Sequence, residues 1–506
     1  MKLSELLLGV DVVATNGDMS AHITSVAADS RLVRKGGLFV AIPGLQQDGA
    51  KFIGQALEKG AAAVVSGGQA ILPVRTGEGA CPPHIQVSEP RVALAIIASN
   101  FYGRAAEKLS IVGVTGTSGK TTTTKMIESI FDATGEPVGL IGTIEYRAGD
   151  ERLVADRTTP DAVVLQEWFR KMADAGVRHA VMEVSSHALA LKRTHGIHFA
   201  SAIFTNLSRD HFDFHKDFDD YYAAKRMLFD QIDEKRRTAV VNIDDEYGRR
   251  LLGELGGQVA VSFGRTAEAE IRPADNFEVS VRGLHGNVIT PAGIVRVESI
   301  LLGQPNLYNW LGAIGAAMVV GVPIRTIEAG IRNLKAVRGR FERVSANGGL
   351  TVIVDYAHKP DALEKLLHAV RDLASGKRVV IVIGCGGDRD KGKRPQMGEI
   401  AGRLADHTLL TSDNPRSEKP DSIIDEIEKG MSGVAKDRFT RITDRRQAIA
   451  RAIGEASEDD LIVIAGKGHE TYQVVGDQII HFDDREEAEL ALKKRNEKLS
   501  TKIGRN

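Results

Sequence analysis

The chain lacks the residues that would support a disulfide framework or a membrane span. Only two cysteines occur among 506 residues, Cys81 and Cys385, which lie far apart in unlike contexts. They exclude a disulfide framework and fit a reducing cytosol. No apolar run approaches the ~20 residues of a membrane-spanning helix, so we expect no membrane span. The opening residues are too short and too polar for a signal peptide, and a cytoplasmic location is expected.

Charge of one sign is not in excess either. The sequence has 66 Lys and Arg against 67 Asp and Glu, for a net charge of −1. A general nucleic-acid or acidic-membrane binder shows a basic excess, so we expect no nucleic-acid partner. We expect small-molecule substrates and a monomer. Apolar residues make up 42% of the chain, enough for full hydrophobic cores, and its length predicts about three domains.

Strand-like segments alternate with helical patterns along the chain, which is typical of parallel sheets covered by helices. The predicted fold class is therefore α/β with three domains, at residues 1–105, 106–337 and 338–506. The predicted strands lie at 37–42, 61–65, 111–114, 179–184, 202–205, 351–354, 378–383, 408–411 and 461–465, and helices at 219–229 and 306–320.

The most informative motif joins a buried strand to a helix at residues 110–124. Backbone N–H groups of such a loop and helix N-terminus point at phosphate oxygens. The Lys ammonium lies near the β- and γ-phosphates, and the following Thr hydroxyl can ligate Mg²⁺. The strict P-loop pattern requires Gly at the position of Val114, so the motif departs from standard P-loop motors. The alternative is a Gly-rich turn with a solvated lysine. The loop and helix start are Gly116, Thr117, Ser118, Gly119, Lys120, Thr121 and Thr122.

Polar groups follow two later strands of the same predicted domain. Glu183 ends one strand, and Asn206, Asp210, His211 and Asp213 follow the next. Ligands of open α/β sheets bind at the carboxyl ends of strands, and a carboxylate beside a phosphate loop is suited to Mg²⁺. The alternatives are a strand-end Glu that caps a turn and a His in a surface loop.

A lysine lies on an otherwise aromatic and apolar helix face. By helical spacing, Tyr221, Lys225 and Leu228 share that face. Lys225 is either part of a site or a lysine whose stem lies on apolar surface while its ammonium reaches water.

A series of short motifs resembles the Mur ligases in order and spacing over nearly the whole chain. Mur ligases are ATP-dependent amide ligases of bacterial cell-wall synthesis. The resemblance implies a central P-loop ATPase domain between an N-terminal domain that binds the UDP-sugar and a C-terminal Rossmann-like domain. The motifs are residues 116–122, 183–187, 205–211, 224–225, 303–306 with 309, 339–342 and 354–360.

The resemblance implies roles at the ATP site. Lys120 would contact the phosphates, and Asn306 the adenine. Arg340 and Asp355 would reach the phosphates and the ribose from the third domain. ATP would be a co-substrate.

The resemblance also implies a magnesium site with catalytic residues around it. Thr121, Glu183 and His211 match metal ligands. Lys225 matches a lysine carbamylated by CO₂ to N6-carboxylysine. That modification turns a cation into an anionic metal ligand, which would explain a lysine in these surroundings.

The third domain would select the amino acid. The resemblance is greatest to family members that add the third residue of the stem peptide, and residues 413–416 match those that take meso-diaminopimelate rather than lysine. An Arg fork binds the extra carboxylate of diaminopimelate, whereas lysine would leave Arg416 unpaired. The alternatives are a plain Asx/Pro turn with a surface Arg and, for the Gly384 loop, a dinucleotide fingerprint that lacks its last Gly. The amino-acid-binding positions implied are Arg389, Asp413, Asn414, Pro415, Arg416, Gly466 and Glu470.

The contacts to the UDP-sugar peptide include departures from the family pattern. Leu45, Arg157 and Leu191 stand where the family often has His, Asn and Gln. The matching positions are Ser30, Thr158, Thr159, Ser185 and Arg193.

The expected reaction is phosphorylation of the free carboxylate of UDP-MurNAc-L-Ala-D-Glu by ATP, followed by attack of the amine on the acyl phosphate. A lysine-adding relative would differ only in the Arg416 argument. A folylpolyglutamate synthetase would share the ATP domain but would not need a domain ahead of the loop. A nucleotide-gated binding protein would bind ATP without releasing phosphate when substrates are added.

Overall fold

The computed structural model describes residues 1–44, 47–68, 82–233, 238–256, 259–344, 350–435 and 437–503. Leu45 and Cys81 lie outside the described residues. The chain divides into two compact units: Met1–Arg272 with Thr290–Ala292 and Leu311–Gly330, and Pro273–Ile289 with Gly293–Trp310 and Ile331–Asn506. The domain boundaries at 105/106 and 337/338 stay predictions.

The N-terminal part of the first unit is a five-stranded sheet in the order β1-β5-β4-β3-β2. Strands β3, β4 and β5 are parallel, and β3 and β4 are buried throughout, as their apolar runs predict. Pro90 lies in the first turn of the last helix, where its fixed φ is favourable. The elements are α1 Leu3–Leu6, β1 Val12–Asn16, β2 Ser25–Ala27, β3 Gly37–Ala41, α2 Ile53–Glu58, β4 Ala63–Ser66, β5 His84–Val87 and α3 Pro90–Phe101, with 3-10 turns at Ser30–Leu32, Gly49–Phe52 and Ala105–Lys108.

An eight-stranded sheet follows, in the order β13-β12-β11-β6-β10-β7-β8-β9. Strand β6 lies between β10 and β11, all three parallel, so their carboxyl ends meet at one edge. This is where ligands of doubly wound sheets bind. The elements are β6 Ser110–Thr115, α4 Lys120–Asp132, β7 Val138–Ile141, β8 Glu145–Ala148, β9 Glu151–Val154, α5 Ala162–Asp174, β10 His179–Glu183, α6 Ser186–Ala190, β11 Ser201–Phe204, α7 Phe218–Arg226, a 3-10 turn Phe229–Gln231, β12 Thr238–Asn242, α8 Glu246–Glu254 and β13 Val259–Phe263.

Side-chain caps fix where several of these helices begin. Asp161 accepts hydrogen bonds from the amides of Val163 and Val164, and Asp217 accepts one from Asp220. Such caps satisfy helix N–H groups that have no intrahelical partner. The helix predicted at 219–229 is confirmed, but its α-helical part ends at Arg226.

A four-stranded sheet and two helices connect this part to the C-terminal part. In that sheet β16 lies between β14 and β15 and also pairs with β17. The elements are β14 Arg272–Pro273, β15 Glu278–Ser280, β16 Gly283–Thr290, β17 Gly293–Ser299, α9 Gly303–Val319 and α10 Ile324–Asn333.

The C-terminal part of the second unit is a six-stranded sheet in the order β18-β19-β23-β20-β21-β22. The five neighbouring strands β19, β23, β20, β21 and β22 are parallel to one another. Apolar cores cover both faces of the sheet. Together with the two sheets of the first unit, it confirms the predicted α/β fold. The elements are β18 Glu342–Val344, β19 Thr351–Asp355, α11 Pro360–Ala374, β20 Val379–Ile383, α12 Lys393–Leu404, β21 His407–Leu410, α13 Pro420–Met431, β22 Phe439–Arg441, α14 Arg445–Gly454, β23 Leu461–Ala465, β24 Tyr472–Val475, β25 Gln478–His481 and α15 Asp484–Ile503.

Within the described ranges, no helix is both long enough and apolar enough to cross a membrane.

Candidate active site

The loop between β6 and α4 is held from behind by the residues that follow β11. Thr205 Oγ1 donates to the Ser118 carbonyl at 2.7 Å, and Asn206 Oδ1 accepts from the Ser118 amide at 3.0 Å. The Thr117 amide donates to the Asn206 carbonyl at 2.9 Å. Gly119 precedes the helix with a φ of +87°, in the left-handed region that favours glycine. These hydrogen bonds and the backbone of Gly119 therefore define the shape of the loop.

Gly116 is required by a close approach as well as by its backbone angle. Its φ is +145°, and a Cβ there would lie 1.9 Å from Thr205 Oγ1. We therefore expect Gly116→Ala to shift the loop and weaken ATP binding by about tenfold or more, since the penalty is at least that of a strained backbone position. Isothermal titration calorimetry with ATP measures the affinity of the variant and of the wild type. Gly253→Ala is the matched control, because a Cβ at Gly253 meets no atom within 4 Å. Equal ATP affinity in Gly116→Ala and the wild type would contradict this account of the loop.

Lys120 is folded over the loop. Its Nζ donates to the carbonyls of Gly116 at 2.7 Å and Thr117 at 3.0 Å. It lies in the first turn of α4, where the helix N-terminus favours anions. An ammonium and a helix N-terminus side by side are suited to a phosphate chain.

Glu183, at the end of β10, is buried and fully engaged. Its Oε2 accepts from Thr121 Oγ1 at 2.9 Å and from Thr143 Oγ1 at 3.0 Å, while Oε1 accepts from the Thr143 amide at 2.7 Å. The structure thus brings Thr121 and Glu183 together, as the sequence predicted. Thr143, which follows β7, was not predicted to belong to the site because it carries no motif of its own.

Lys225 is buried against the same loop. Its side chain is 1% exposed, and its Nζ donates to the Gly116 carbonyl at 2.8 Å and lies 4.3 Å from the centroid of the Tyr221 ring. The idea of an ammonium that reaches water is therefore wrong. Burial, with the nearby Lys120 charge, holds the pKa of the Lys225 amine well below its usual value. A neutral amine is the form that reacts with CO₂.

His211 lies in a cluster of rings beside this lysine. Its ring centroid is 4.8 Å from that of His187 and 6.2 Å from that of Tyr221, and its Nε2 is 3.4 Å from Asp210 Oδ2. Its backbone is in the left-handed region, with a φ of +58°. Tyr221 also contacts Lys225, so the ring cluster connects the imidazole to the lysine.

The donors suit a magnesium site that includes a carbamate. Within the described ranges, no group of three or more His, Cys, Asp or Glu side chains is arranged to hold a metal ion. Glu183 supplies a carboxylate and Thr121 a hydroxyl, both of the oxygen type that Mg²⁺ prefers. A carbamate on Lys225 would add anionic oxygens at a position where the unmodified chain has an amine.

The positions predicted to contact the sugar peptide form a chain of hydrogen bonds next to Glu183. Thr158 Oγ1 lies 3.0 Å from Thr143 Oγ1, and Thr159 Oγ1 donates to the Glu183 carbonyl at 2.8 Å. The Ser185 amide donates to Thr159 Oγ1 at 3.1 Å, and Arg193 Nη1 donates to the Thr159 carbonyl at 2.8 Å. Four of the five predicted contacts, all but that in the N-terminal sheet domain, are thus adjacent.

Ser30 lies separately, in the part of the first unit built on the five-stranded sheet. It is buried, and its Oγ donates to Gln55 Oε1 at 2.6 Å.

In the second unit, Asp355 lies close to Arg340 because its carboxylate binds the backbone amide of the next residue, Phe341. Asp355 accepts hydrogen bonds from the amides of Phe341 at 2.7 Å and Ala357 at 2.8 Å. Burial raises its pKa, while Arg340 and these two amides oppose the rise. The Arg340 guanidinium lies 4.8 Å from the centroid of the Tyr356 ring.

The predicted adenine contact is fixed at the start of α9. Asn306 is buried, donates to the Leu302 carbonyl at 2.8 Å and accepts from Asn309 Nδ2 at 3.3 Å.

The predicted amino-acid positions meet at the carboxyl ends of β20, β21 and β23. Arg416 has a φ of +51° and donates from Nη1 to the Gly387 carbonyl at 2.8 Å. A Cβ on Gly386 would lie 3.0 Å from that Nη1 and 3.7 Å from Cγ of Arg389, so both arginines border Gly386. Asn414 Nδ2 donates to Glu470 Oε2 at 3.0 Å.

The chain is similar to known proteins over nearly its whole length. Three family models match it: "Mur ligase family, catalytic domain" at residues 22–102, "Mur ligase middle domain" at 114–317, and "Mur ligase, glutamate ligase domain" at 339–468. A Geobacter sulfurreducens protein named UDP-N-acetylmuramoyl-L-alanyl-D-glutamate--2,6-diaminopimelate ligase is 43% identical over 97% of this chain and 99% of its own. A Bacillus velezensis protein of the same name is 42% identical over 98% of this chain and 100% of its own.

Solved structures agree in fold. A structure with the same ligase name has a TM-score of 0.70 at 30% identity, covering 98% of this chain and 99% of its own. A Mycobacterium tuberculosis folylpolyglutamate synthase complexed with ADP and AMPPCP has a TM-score of 0.58 at 17% identity, covering 74% of this chain and 92% of its own. At that identity the second likeness shows a common fold alone.

Proposed function

Because the chain belongs to the Mur ligase family, we propose that it joins meso-diaminopimelate to UDP-MurNAc-L-Ala-D-Glu, with ATP converted to ADP and phosphate. The observation that carries the choice of amino acid is the pair of arginines, Arg389 and Arg416, bordering Gly386. Diaminopimelate differs from lysine by a carboxylate at its far end, and an Arg fork binds a carboxylate through two parallel hydrogen bonds.

The reaction has two steps. An oxygen of the free D-Glu carboxylate attacks the γ-phosphorus of ATP, and the bond to the ADP oxygen breaks. The amine of diaminopimelate then attacks the acyl carbon, loses a proton, and phosphate leaves with the carboxylate oxygen. Activation is needed because the oxygen of a free carboxylate is a poor leaving group.

The residues of the first unit would orient the phosphate chain for the first step. The fixed loop, Gly116 to Thr122, offers its amides, and Lys120 would leave the loop carbonyls for the β- and γ-phosphates. Thr158, Thr159, Ser185 and Arg193 would present the carboxylate beside Glu183. Most of the rate enhancement would come from this positioning and from cations that offset charge on the transferring phosphoryl group.

We propose that Thr121, Glu183, His211 and Lys225 as N6-carboxylysine hold Mg²⁺. Bound there, magnesium would neutralise charge on the phosphates during transfer. The support is the hydroxyl–carboxylate pair of Thr121 and Glu183 and the buried amine of Lys225, whose pKa burial lowers and so favours the neutral form that takes up CO₂.

Asn306, at the start of α9, would contact the adenine of ATP, and Arg340 and Asp355, from the C-terminal part, would contact its phosphates and ribose. Ser30 would contact uridine from the N-terminal sheet. We propose the domain bounds 1–105, 106–337 and 338–506 for the uridine-binding, ATP-binding and amino-acid-binding domains.

The cytoplasm is the proposed location because the reaction consumes ATP, and the products would serve peptidoglycan synthesis and therefore cell shape and division. A monomer is proposed, since a single chain supplies all the residues assigned here.

One assay tests the function against its alternatives. Purified protein is given ATP, Mg²⁺, UDP-MurNAc-L-Ala-D-Glu and either diaminopimelate or lysine, and phosphate release is measured. We expect release with diaminopimelate and at least ~100-fold less with lysine. Equal rates would favour the lysine-adding alternative. ATP binding without phosphate release would favour the nucleotide-gated binding protein.

A folylpolyglutamate synthetase would instead release phosphate with folate and glutamate. The 74% coverage of that structural likeness, against 98% for the diaminopimelate ligase, gives this alternative less support.

A further inference from the structure

Lys467 is a fully buried cation among the residues proposed to bind the amino acid. It follows β23 between Gly466 and Gly468, and its side chain is 0% exposed. Both glycines have positive φ, +122° and +55°, so the turn that directs the lysine inward is specified by sequence. Burial of a lysine is costly unless its charge is paired.

Lys467 has three acceptors for its three protons. Its Nζ lies 3.2 Å from Asn414 Oδ1, 3.2 Å from Glu470 Oε2 and 3.5 Å from Asp413 Oδ1. An ammonium has three donors and no acceptor. All three neighbours are residues proposed to bind diaminopimelate, whereas the buried ammonium has no proton left for a ligand.

These contacts fix which way the Asn414 amide faces. Its Oδ1 accepts from Lys467 Nζ and from the Val474 amide at 3.0 Å, so its Nδ2 is the group that donates to Glu470. One proton of Nδ2 remains for another acceptor. Without the lysine, one of the two donors that hold Oδ1 is lost.

The same contacts occupy one of the two oxygens of the Glu470 carboxylate. Oε2 accepts from both Lys467 and Asn414, while the side chain as a whole is 20% exposed. Oε1 is thereby left to accept from an ammonium of a bound amino acid. Lys467 also offsets one of the two adjacent negative charges of Asp413 and Glu470, which would otherwise repel each other.

We propose that Lys467 is a positioning residue for the amino-acid substrate, holding Asn414 and Glu470 in the orientation that receives diaminopimelate without touching it. This inference rests on the proposed function. It predicts a defect in the use of diaminopimelate that does not extend to ATP or to the UDP-sugar substrate.

The test is steady-state kinetics of Lys467→Met, which keeps the length of the side chain and removes the charge. We expect the KM for diaminopimelate to rise at least ~10-fold, the loss typical of hydrogen bonds to a charged group. The KM for ATP should change less than about twofold, because no ATP contact is proposed for Asn414 or Glu470. Lys377→Met is the matched control, an exposed lysine of the same unit that pairs with exposed Asp459, and it should behave as wild type.

A double-mutant cycle separates positioning from general damage. If Lys467 acts through Asn414, then Lys467→Met should raise the KM less than ~3-fold when introduced into Asn414→Ala. Lys467→Gln, which keeps N–H donors, should fall between wild type and Lys467→Met, and it carries the same test if Lys467→Met does not fold. Thermal unfolding of each variant identifies loss of fold.

A KM for diaminopimelate within twofold of wild type in a folded variant would overturn the role, as would fully multiplicative effects in the cycle. Neither result would bear on the proposed function, because the phosphate-release assay with wild-type protein tests that function separately. Wild type that releases no phosphate with diaminopimelate would instead overturn the function.

Discussion

Lys225→Ala is expected to lower kcat by about 1000-fold, the scale of losing one pre-organised charge in a phosphoryl-transfer site. The structure places the amine in a buried site against the Gly116 carbonyl, with its pKa well below the usual value because of burial and the Lys120 charge. A neutral amine adds CO₂ to give a carbamate and a proton. Alanine removes the nitrogen and with it the proposed anionic metal ligand.

Short carboxylates should partly restore the activity of Lys225→Ala, because formate or acetate fits the space vacated by the side chain and supplies carboxylate oxygens. Phosphate release at increasing formate concentration measures the rescue. Lys216→Ala is the matched control: Lys216 is exposed and lies just before the same helix. Full activity of Lys225→Ala, or a complete absence of rescue in a folded variant, would contradict the carbamate proposal.

Arg416→Ala is expected to raise the KM for diaminopimelate about 100-fold, with a smaller change in kcat, because the proposed charge-assisted bidentate pair with the far carboxylate would be lost. The backbone of Arg416 is held by hydrogen bonds with Val474 and Gly476, at 3.0 and 2.8 Å, so the substitution should remove the guanidinium without moving its neighbours. The φ of +51° at Arg416 is unfavourable for any residue with a Cβ, so alanine is no more strained there than arginine.

Discrimination against lysine should narrow in the same variant, since lysine lacks the far-end carboxylate that Arg416 is proposed to bind. The ratio of kcat/KM for the two amino acids, measured side by side, tests this. Arg403→Ala is the control, an exposed arginine on α12 that pairs with Glu364. An unchanged KM for diaminopimelate in Arg416→Ala would remove the basis for choosing this amino acid.

The sequence predicted the parts of the site that local patterns encode. The strand, loop, Lys120 and helix stand in consecutive order, and a buried strand ending in Glu183 can be recognised from its apolar run. Parallel pairing of β6 with β10 then brings Thr121 to Glu183, as the rule for carboxyl ends of strands anticipates.

The supporting residues could not be predicted in the same way. Thr143 contacts Glu183 only because β7 pairs with β10. The sequence around Thr143 contains no motif that would predict a role for it. Lys467 lies in a segment whose flanking Gly466 and Glu470 carried the resemblance, yet its three acceptors come together only in the folded domain. The burial of Lys225 likewise depends on the packing of α7 against the loop rather than on its helical spacing.

The path of one oxygen atom tests the central claim, that this chain makes an amide through an acyl phosphate. UDP-MurNAc-L-Ala-D-Glu labelled with ¹⁸O at all oxygens of both free carboxylates of its D-Glu is turned over with ATP and diaminopimelate, and the released phosphate is analysed by mass spectrometry. The account predicts one ¹⁸O atom in each phosphate, formed together with the tripeptide product and ADP. Phosphate without the label, or release of AMP, would contradict it.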